Sequence, residues 1–161
     1  MKQGLRYDAT LQLLAASEAL WNASRVFLKQ WNLSPSQFNV LNLLLDAPNG
    51  CTQVELSRKL IMHRSNVTGL VDRLESRKLV RRQDSKTDRR AFNVVITDKG
   101  ADLMRQIHPH YYQAAEDLWG GISAGHARSL ATEVSIVSAN AGKVAAAATS
   151  GSIHGPSQTK A

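Results

Sequence analysis

The chain lacks most features that mark an exported, membrane-spanning or catalytic protein. Its 161 residues include one cysteine, Cys51, which excludes an internal disulfide framework and a zinc site built from cysteines. No apolar run approaches the roughly 18 residues that a membrane span needs. The opening segment, MKQGLRYDAT, lacks the apolar stretch of a secretory signal. No internal repeat of about 20–50 residues is visible, which argues against a solenoid. There is no Ser/His/Asp or Cys/His arrangement with supporting context, no glycine loop to cradle phosphate, and no ligand set at catalytic-metal spacing. The five histidines are scattered. The expectation is a single-domain, soluble, cytoplasmic protein that is not an enzyme and carries no cofactor.

What the chain does have is positive charge in one place. Residues 58–90 hold eleven Lys and Arg against four Asp and Glu, while the remaining residues carry nine of each sign. The whole formal excess of seven therefore sits in about one fifth of the chain. A single-sign field confined to one module suits a polyanion, because each neutralised phosphate releases condensed counterions. The plainer alternative is a solvated basic surface.

Periodicity divides the chain further. Residues 9–31 read as a helix with Leu13, Ala16, Leu20, Ala23, Phe27 and Trp31 on one line and Leu14, Trp21 and Leu28 on a second. So broad an apolar face calls for a second burial partner. Ser34-Pro35-Ser36-Gln37 and Thr52-Gln53-Val54-Glu55 are capping boxes, each opening a helix. A third short helix runs from about Arg64 to Arg77 with Val67, Leu70, Val71 and Leu74 inward. Period 2 then replaces 3.6. Leu79–Arg82 is a strand, residues 84–90 a charged turn, and Phe92, Val94 and Ile96 a return strand. Three short helices followed by a basic hairpin make a winged helix-turn-helix over residues 34–97. A long helix follows from residue 98, with Pro109 inside it to kink it, and Gly120-Gly121 breaks the chain. The last helix shows Leu130, Val134, Val137, Ala141 and Val144 at coiled-coil-like spacing. Residues 9–31 and 98–147 thus predict a layer that pairs with a second copy, and residues 148–161 a disordered tail. The fold class is mainly α with a small β-wing.

At residues 64–100, RSNVTGLVDRLESRKLVRRQDSKTDRRAFNVVITDKG, the chain resembles the MarR family of transcription regulators. The stretch is similar to the family's recognition helix, its Asp-x-Arg wing at Asp88-Arg89-Arg90, and the Thr97…Gly100 opening of the next helix. The resemblance extends over about residues 10–140. It implies a homodimer of winged-helix protomers that binds double-stranded DNA, more often as a repressor. One departure is Lys78, where many members have the glycine that closes the recognition helix.

A dimer would set two recognition helices in successive major grooves about 34 Å apart, so the operator would be an inverted repeat. Arg64, Ser65, Asn66, Thr68 and Gly69 face outward for base reading, Arg for guanine, Asn for adenine, and Gly69 for close approach. Ser65 and Asn66 fit equally as caps or phosphate contacts. Arg73 and Arg77 suit backbone contact or i,i+4 ion pairs, and Thr52 and Gln53, at a helix N-terminus, suit phosphate. In the wing, Lys86, Arg89 and Arg90 are basic. The resemblance implies that Arg90 enters a minor groove with Asp88 holding it, against the alternative that both merely brace the turn.

The resemblance also implies release by a small effector, often an aromatic acid, in a crevice that Trp21, Ser24, Arg25, Phe38 and Tyr111 could line. The plainer alternative is that the aromatics are ordinary core and Arg25 is solvated or paired, and for any one residue that is the preferred reading. Cys51 as a redox sensor and His108 with His110 as a metal site are weaker readings, the first for want of a resolving partner and the second for want of convergent ligands. A protein-contact wing is the alternative to DNA.

Overall fold

The computed structural model describes residues 4–60, 62–84 and 92–150. The chain divides into two units, Met1–Pro109 and His110–Ala161. The first unit begins with α1 (Leu5–Leu28), which continues into a 3₁₀ turn (Lys29–Trp31). The pattern predicts one helix over 9–31. The helix instead starts earlier, after an extended Gly4, and its last turn tightens before Asn32 takes a left-handed φ of 53°. Asn32 N–H then donates to the Lys29 carbonyl and Leu33 N–H to the Leu28 carbonyl, with Leu28 and Leu33 both buried. That is the two-bond Schellman closure with its apolar clasp.

Both capping boxes form. Ser34 Oγ accepts from Gln37 N–H while Gln37 Oε1 accepts from Ser34 N–H, opening α2 (Pro35–Leu45). Thr52 Oγ1 accepts from Glu55 N–H and Glu55 Oε2 accepts from Thr52 N–H, opening α3 (Gln53–Leu60). After a short connection comes α4 (Arg64–Ser76), and Val67, Leu70, Val71 and Leu74 are buried as the spacing predicts. The wing strands are β2 (Val80–Asp84) and β3 (Phe92–Ile96), antiparallel from Val80 opposite Ile96 to Asp84 opposite Phe92.

A third strand escapes the sequence pattern. Cys51 and Thr52, expected in a loop and at a cap, form β1 (Cys51–Thr52), antiparallel to β3 with Cys51 opposite Val94. The sheet order is β1-β3-β2. Two residues give no alternation to read, and the sharp entry depends on Gly50 at φ +74°, where a Cβ would lie 2.4 Å from the Val94 carbonyl oxygen.

The end of α4, the start of β2 and the start of α5 (Asp98–Leu118) meet at Leu79. Lys78 takes a left-handed φ of 59°, its N–H donates to the Glu75 carbonyl, and Leu79 N–H donates to the Leu74 carbonyl. This is a second Schellman closure, with Leu74 and Leu79 buried, made without the usual glycine. The Leu79 carbonyl accepts from Thr97 N–H at 3.1 Å, with Thr97 Oγ1 also 3.1 Å away. Gly100 permits that approach, because a Cβ there would lie 2.2 Å from the same oxygen.

Helix α5 continues through Pro109, where the first unit ends. In the second unit, residues 110–118 complete α5, a turn follows with Gly121 at φ +82°, and Ser123 Oγ caps α6 (Ala124–Thr149) by accepting from His126 N–H. The alanine-rich end carries the helix two residues past the predicted 147, since alanine has the highest helix propensity. Of the predicted tail, residues 151–161 lie outside the described residues. No described residue from His110 onward is buried, and Leu130, Val134, Val137 and Val144 are exposed. No helix among the described residues is long and apolar enough to cross a membrane.

Two substitutions around Leu79 should move stability in opposite directions. Lys78→Gly removes the left-handed Cβ penalty and should raise stability by about 1 kcal/mol. Gly100→Ala forces a methyl group into the Leu79 carbonyl and should lower it by about 2–3 kcal/mol. Urea denaturation at equal protein concentration measures both, and a destabilising Lys78→Gly or a neutral Gly100→Ala would contradict this account.

Candidate nucleic-acid interface

Helices α3 and α4 pack against each other, with Leu56, Val67 and Val71 buried, and one polar bond ties the start of α3 to α4. Thr68 Oγ1 lies 3.0 Å from Gln53 Oε1 and 3.2 Å from the Arg64 carbonyl, sharing one proton between them. Two residues predicted to touch DNA thus orient each other. With its oxygen held by Thr68, Gln53 keeps its amide N–H donors for a phosphate or a base edge. The Thr52 hydroxyl is committed to Glu55 in the capping box.

The outer face of α4 is differently placed. Arg64, Ser65, Asn66 and Arg73 are exposed. The N-cap of α4 is His63, with no side-chain cap bond, so Ser65 and Asn66 lie inside the first turn and do not cap it. Among the described residues, no side-chain hydrogen bond ties Arg64, Ser65, Asn66 or Arg73 to the fold. Gly69 lies between them, and a Cβ there would meet only the Arg73 guanidinium, at 3.9 Å. Packing therefore gives no reason for a glycine that costs an interior helical position about 1 kcal/mol. Ser34 and Ser36 at the start of α2 line a shallow groove with Ser65, Asn66, Gly69 and Arg73. These two serines were not among the predicted site residues, and only the tertiary packing of α2 beside α4 brings them there.

Two arginines of the basic segment are used inside the fold. Arg77 was expected to meet phosphate or a helical acid. Instead its Nη1 donates to the Asn32 carbonyl and its Nη2 to the Trp31 carbonyl, because the end of the 3₁₀ turn leaves those oxygens unpaired. Arg82 pairs with Asp72 and Glu75 of α4, and its backbone N–H also donates to Glu75 at 2.9 Å. The bond that Arg82 donates to Asp72, then the Glu75 charge, holds the Arg82 guanidinium above its ordinary pKa against partial burial. Arg82 follows buried Val80 by two, so strand alternation turns it to the α4 side, a signal present in the sequence. The predicted wing residues Lys86, Asp88, Arg89 and Arg90 lie outside the described residues.

The five candidate effector residues are not gathered into one crevice of the first unit. Trp21 and Arg25 share a depression with Glu18 and Asn22, and Arg25 Nη2 donates to Asn22 Oδ1 at 2.7 Å. Arg25 also borders a second depression with Lys29, Ser34 and Gln37. Ser24 is half-buried, and Phe38 is core, edge-on to the His108 ring with centroids 6.3 Å apart. Tyr111 belongs to the second unit. Cys51 is buried, and burial pushes its thiol up from the ordinary value while Lys59 opposes the shift, an environment that disfavours the reactive thiolate. His108 Nε2 lies 3.0 Å from Asn42 Oδ1. No group of three His, Cys, Asp or Glu among the described residues is arranged to hold a metal ion.

Comparison with known proteins places this arrangement. The model of the MarR family matches residues 31–91. The HTH-type transcriptional regulator FarR of Neisseria gonorrhoeae is 31% identical over 122 residues, covering 73% of this chain and 82% of that protein. The transcriptional repressor MprA of Escherichia coli K12 is 32% identical over 108 residues, covering 66% of this chain and 61% of MprA. With several curated relatives the match thus spans only about three fifths of their length. Among solved structures, Sco3205 of Streptomyces coelicolor, a MarR family regulator in complex with DNA, superposes with a TM-score of 0.76 at 20% identity, covering 86% of this chain and 89% of that one. That likeness shows the winged-helix fold.

The capping carboxylate of α3 gives a pH test. Thr52 N–H, and then the Thr52 hydroxyl, hold Glu55 below the usual carboxylate range. Its contribution is therefore present above glutamate's ordinary pKa and lost as pH falls through the lowered value. Glu55→Ala should cost about 1 kcal/mol at neutral pH, and in urea titrations its gap from the unsubstituted protein should be smaller at an acidic pH below the ordinary carboxylate range. An equal gap at both pH values would contradict the assignment.

Proposed function

The chain belongs to the MarR family of winged-helix transcription regulators, and from that premise we propose that it is a homodimeric repressor that binds a pseudo-palindromic operator in double-stranded DNA. One observation carries the reading: the outer face of α4 presents Arg64, Ser65, Asn66 and Arg73 around a glycine for which packing gives no reason. Arg64 forks onto guanine, Asn66 pairs with adenine, and Gly69 brings the helix backbone close to the base edges. Ser65 and Arg73, with the Gln53 amide at the start of α3, hold the phosphates that flank them. Arg90 reaches from the wing into the minor groove, Asp88 fixes its loop, and Lys86 and Arg89 add phosphate contacts.

The dimer is supported by the apolar surface that one chain leaves uncovered. Leu11, Leu14, Leu20 and Trp21 on α1, and Leu130, Val134, Val137 and Val144 on α6, are exposed. The relative named a transcriptional repressor supports repression. A small aromatic acid would release the complex by binding at the surface shared by Trp21 and Arg25, provided it prefers the arrangement of the two heads that cannot reach both half-sites.

Fluorescence anisotropy on DNA from upstream of the protein's own gene, against scrambled duplex, tests the reading. With roughly eight phosphate contacts per dimer, log K should fall with log[salt] at a slope of about −7, with a preference of about 10³ or more for the native sequence. Absence of salt-dependent binding to any duplex would overturn it in favour of a protein-contact module. Gly69→Ala should raise stability by about 0.5–1 kcal/mol while weakening operator binding at least about tenfold. Unchanged affinity would remove Gly69 from the interface. Arg90→Ala should abolish specific binding while leaving the dimer folded, and wild-type affinity would sink its assigned role.

A further inference from the structure

Arg77 occupies a position that neither the charge pattern nor the proposed DNA contacts explain. It is the C-cap of α4 and half-buried. Its guanidinium forks onto the carbonyls of Trp31 and Asn32, residues 46 and 45 positions earlier in the chain. Its own carbonyl accepts from Lys99 Nζ at 3.0 Å, and the next carbonyl, of Lys78, accepts from Thr97 Oγ1 at 2.8 Å. One residue thus joins the ends of α1 and α4 to the first turn of α5.

The physics favours this use of an arginine. The last carbonyls of a helix lack N–H partners and carry the negative end of its dipole. Arginine's planar fork can serve two of them at once, which an ammonium cannot do in the same geometry. Left-handed residues lie at both ends of the link, Asn32 at φ 53° and Lys78 at φ 59°, each closed by a Schellman pair. Neither chain segment has much freedom at the joint, so a movement of the end of α1 is carried to the end of α4.

We infer that Arg77 is a positioning residue, which transmits the orientation of α1 to the recognition helix and so fixes the separation of the two recognition helices in the dimer. This rests on the reading that α1 lies in the dimer layer. Arg77 touches no base or phosphate and acts through α4.

The test compares the full-length protein with Arg77→Met, which keeps the length and apolar stem, and Arg77→Lys, which keeps the charge but not the fork. Ser76→Cys, at the exposed end of α4, carries a spin label in each, with the buried Cys51 replaced by alanine. Double electron–electron resonance then reads the distance between the two labels of a dimer without DNA. The expected result is a narrow distribution for the parent and a broader or displaced one for both variants, with circular dichroism unchanged. On duplexes whose half-site spacing differs by one base pair, both variants should lose at least about tenfold for the best spacing, lose discrimination between spacings, and keep the parent's salt slope. If Arg77 instead held phosphate, Lys would retain affinity and Met would reduce the slope by about 1.8 for two contacts per dimer, which would overturn the inference. A dimer whose distance distribution is unchanged in both variants overturns it alone. A monomer by light scattering overturns the dimer reading and this inference with it.

Discussion

The carbonyl of Leu79 is the point on which the winged-helix module depends. Thr97 donates to it from the start of α5, and a glycine at 100 is what lets that helix come so near. Leu79 itself closes α4 against Leu74 and leads directly into β2. Helix α4, strand β2 and the helix leaving the module are therefore positioned from one place. A side chain at residue 100 would displace all three together, which makes that glycine a steric requirement and not a matter of flexibility. Backbone groups buried at such a junction must be paired, and both the N–H and the carbonyl of Leu79 have their partners.

The basic segment is less uniformly a polyanion surface than its charge count suggests. Arg82 is neutralised by Asp72 and Glu75, and Arg77 is bound to main-chain oxygens. Both hold α4 to its surroundings, one to the wing strand and one to the end of α1. The basic side chains left exposed on that helix are a smaller set, Arg64 and Arg73, with Ser65 and Asn66 between them. The internal pairs are worth little as isolated surface interactions. Their value lies in direction, because each fixes the helix that presents the others.

Much of this architecture was legible in the residues, for identifiable reasons. The two capping boxes fix helix starts through local bonds, so Ser34 and Thr52 could be read without knowing the fold. The buried line Val67, Leu70, Val71 and Leu74 follows from helical period alone. Strand β1 could not be read, since two residues carry no period and its pairing partner lies more than forty residues away. The same limit hid the role of Arg77, whose partners are carbonyls; any residue has one, so no sequence pattern marks them. Lys78 was legible as a departure from the family's glycine, and the structure gives it the left-handed conformation that glycine would adopt more cheaply. The candidate effector residues carry no pattern that separates the two roles, because an aromatic such as Phe38 satisfies a core position as readily as a crevice wall.

The second unit sets a different constraint. Helix α6 has 26 residues, yet none of them is buried. In water an isolated helix gains little beyond its own hydrogen bonds, and most helical stability in proteins comes from packing an apolar face. Leu130, Val134 and Val137 supply such a face. Covering it with a second copy would make folding of this segment and assembly one equilibrium, so apparent stability would rise with protein concentration. The winged-helix module, by contrast, carries its own buried core of Leu41, Leu44, Leu56, Val71, Leu74 and Val94. Among the described residues only the first part of the chain thus holds a buried core, and α1 has one end in that core at Leu28 while its Leu11, Leu14, Leu20 and Trp21 stay uncovered.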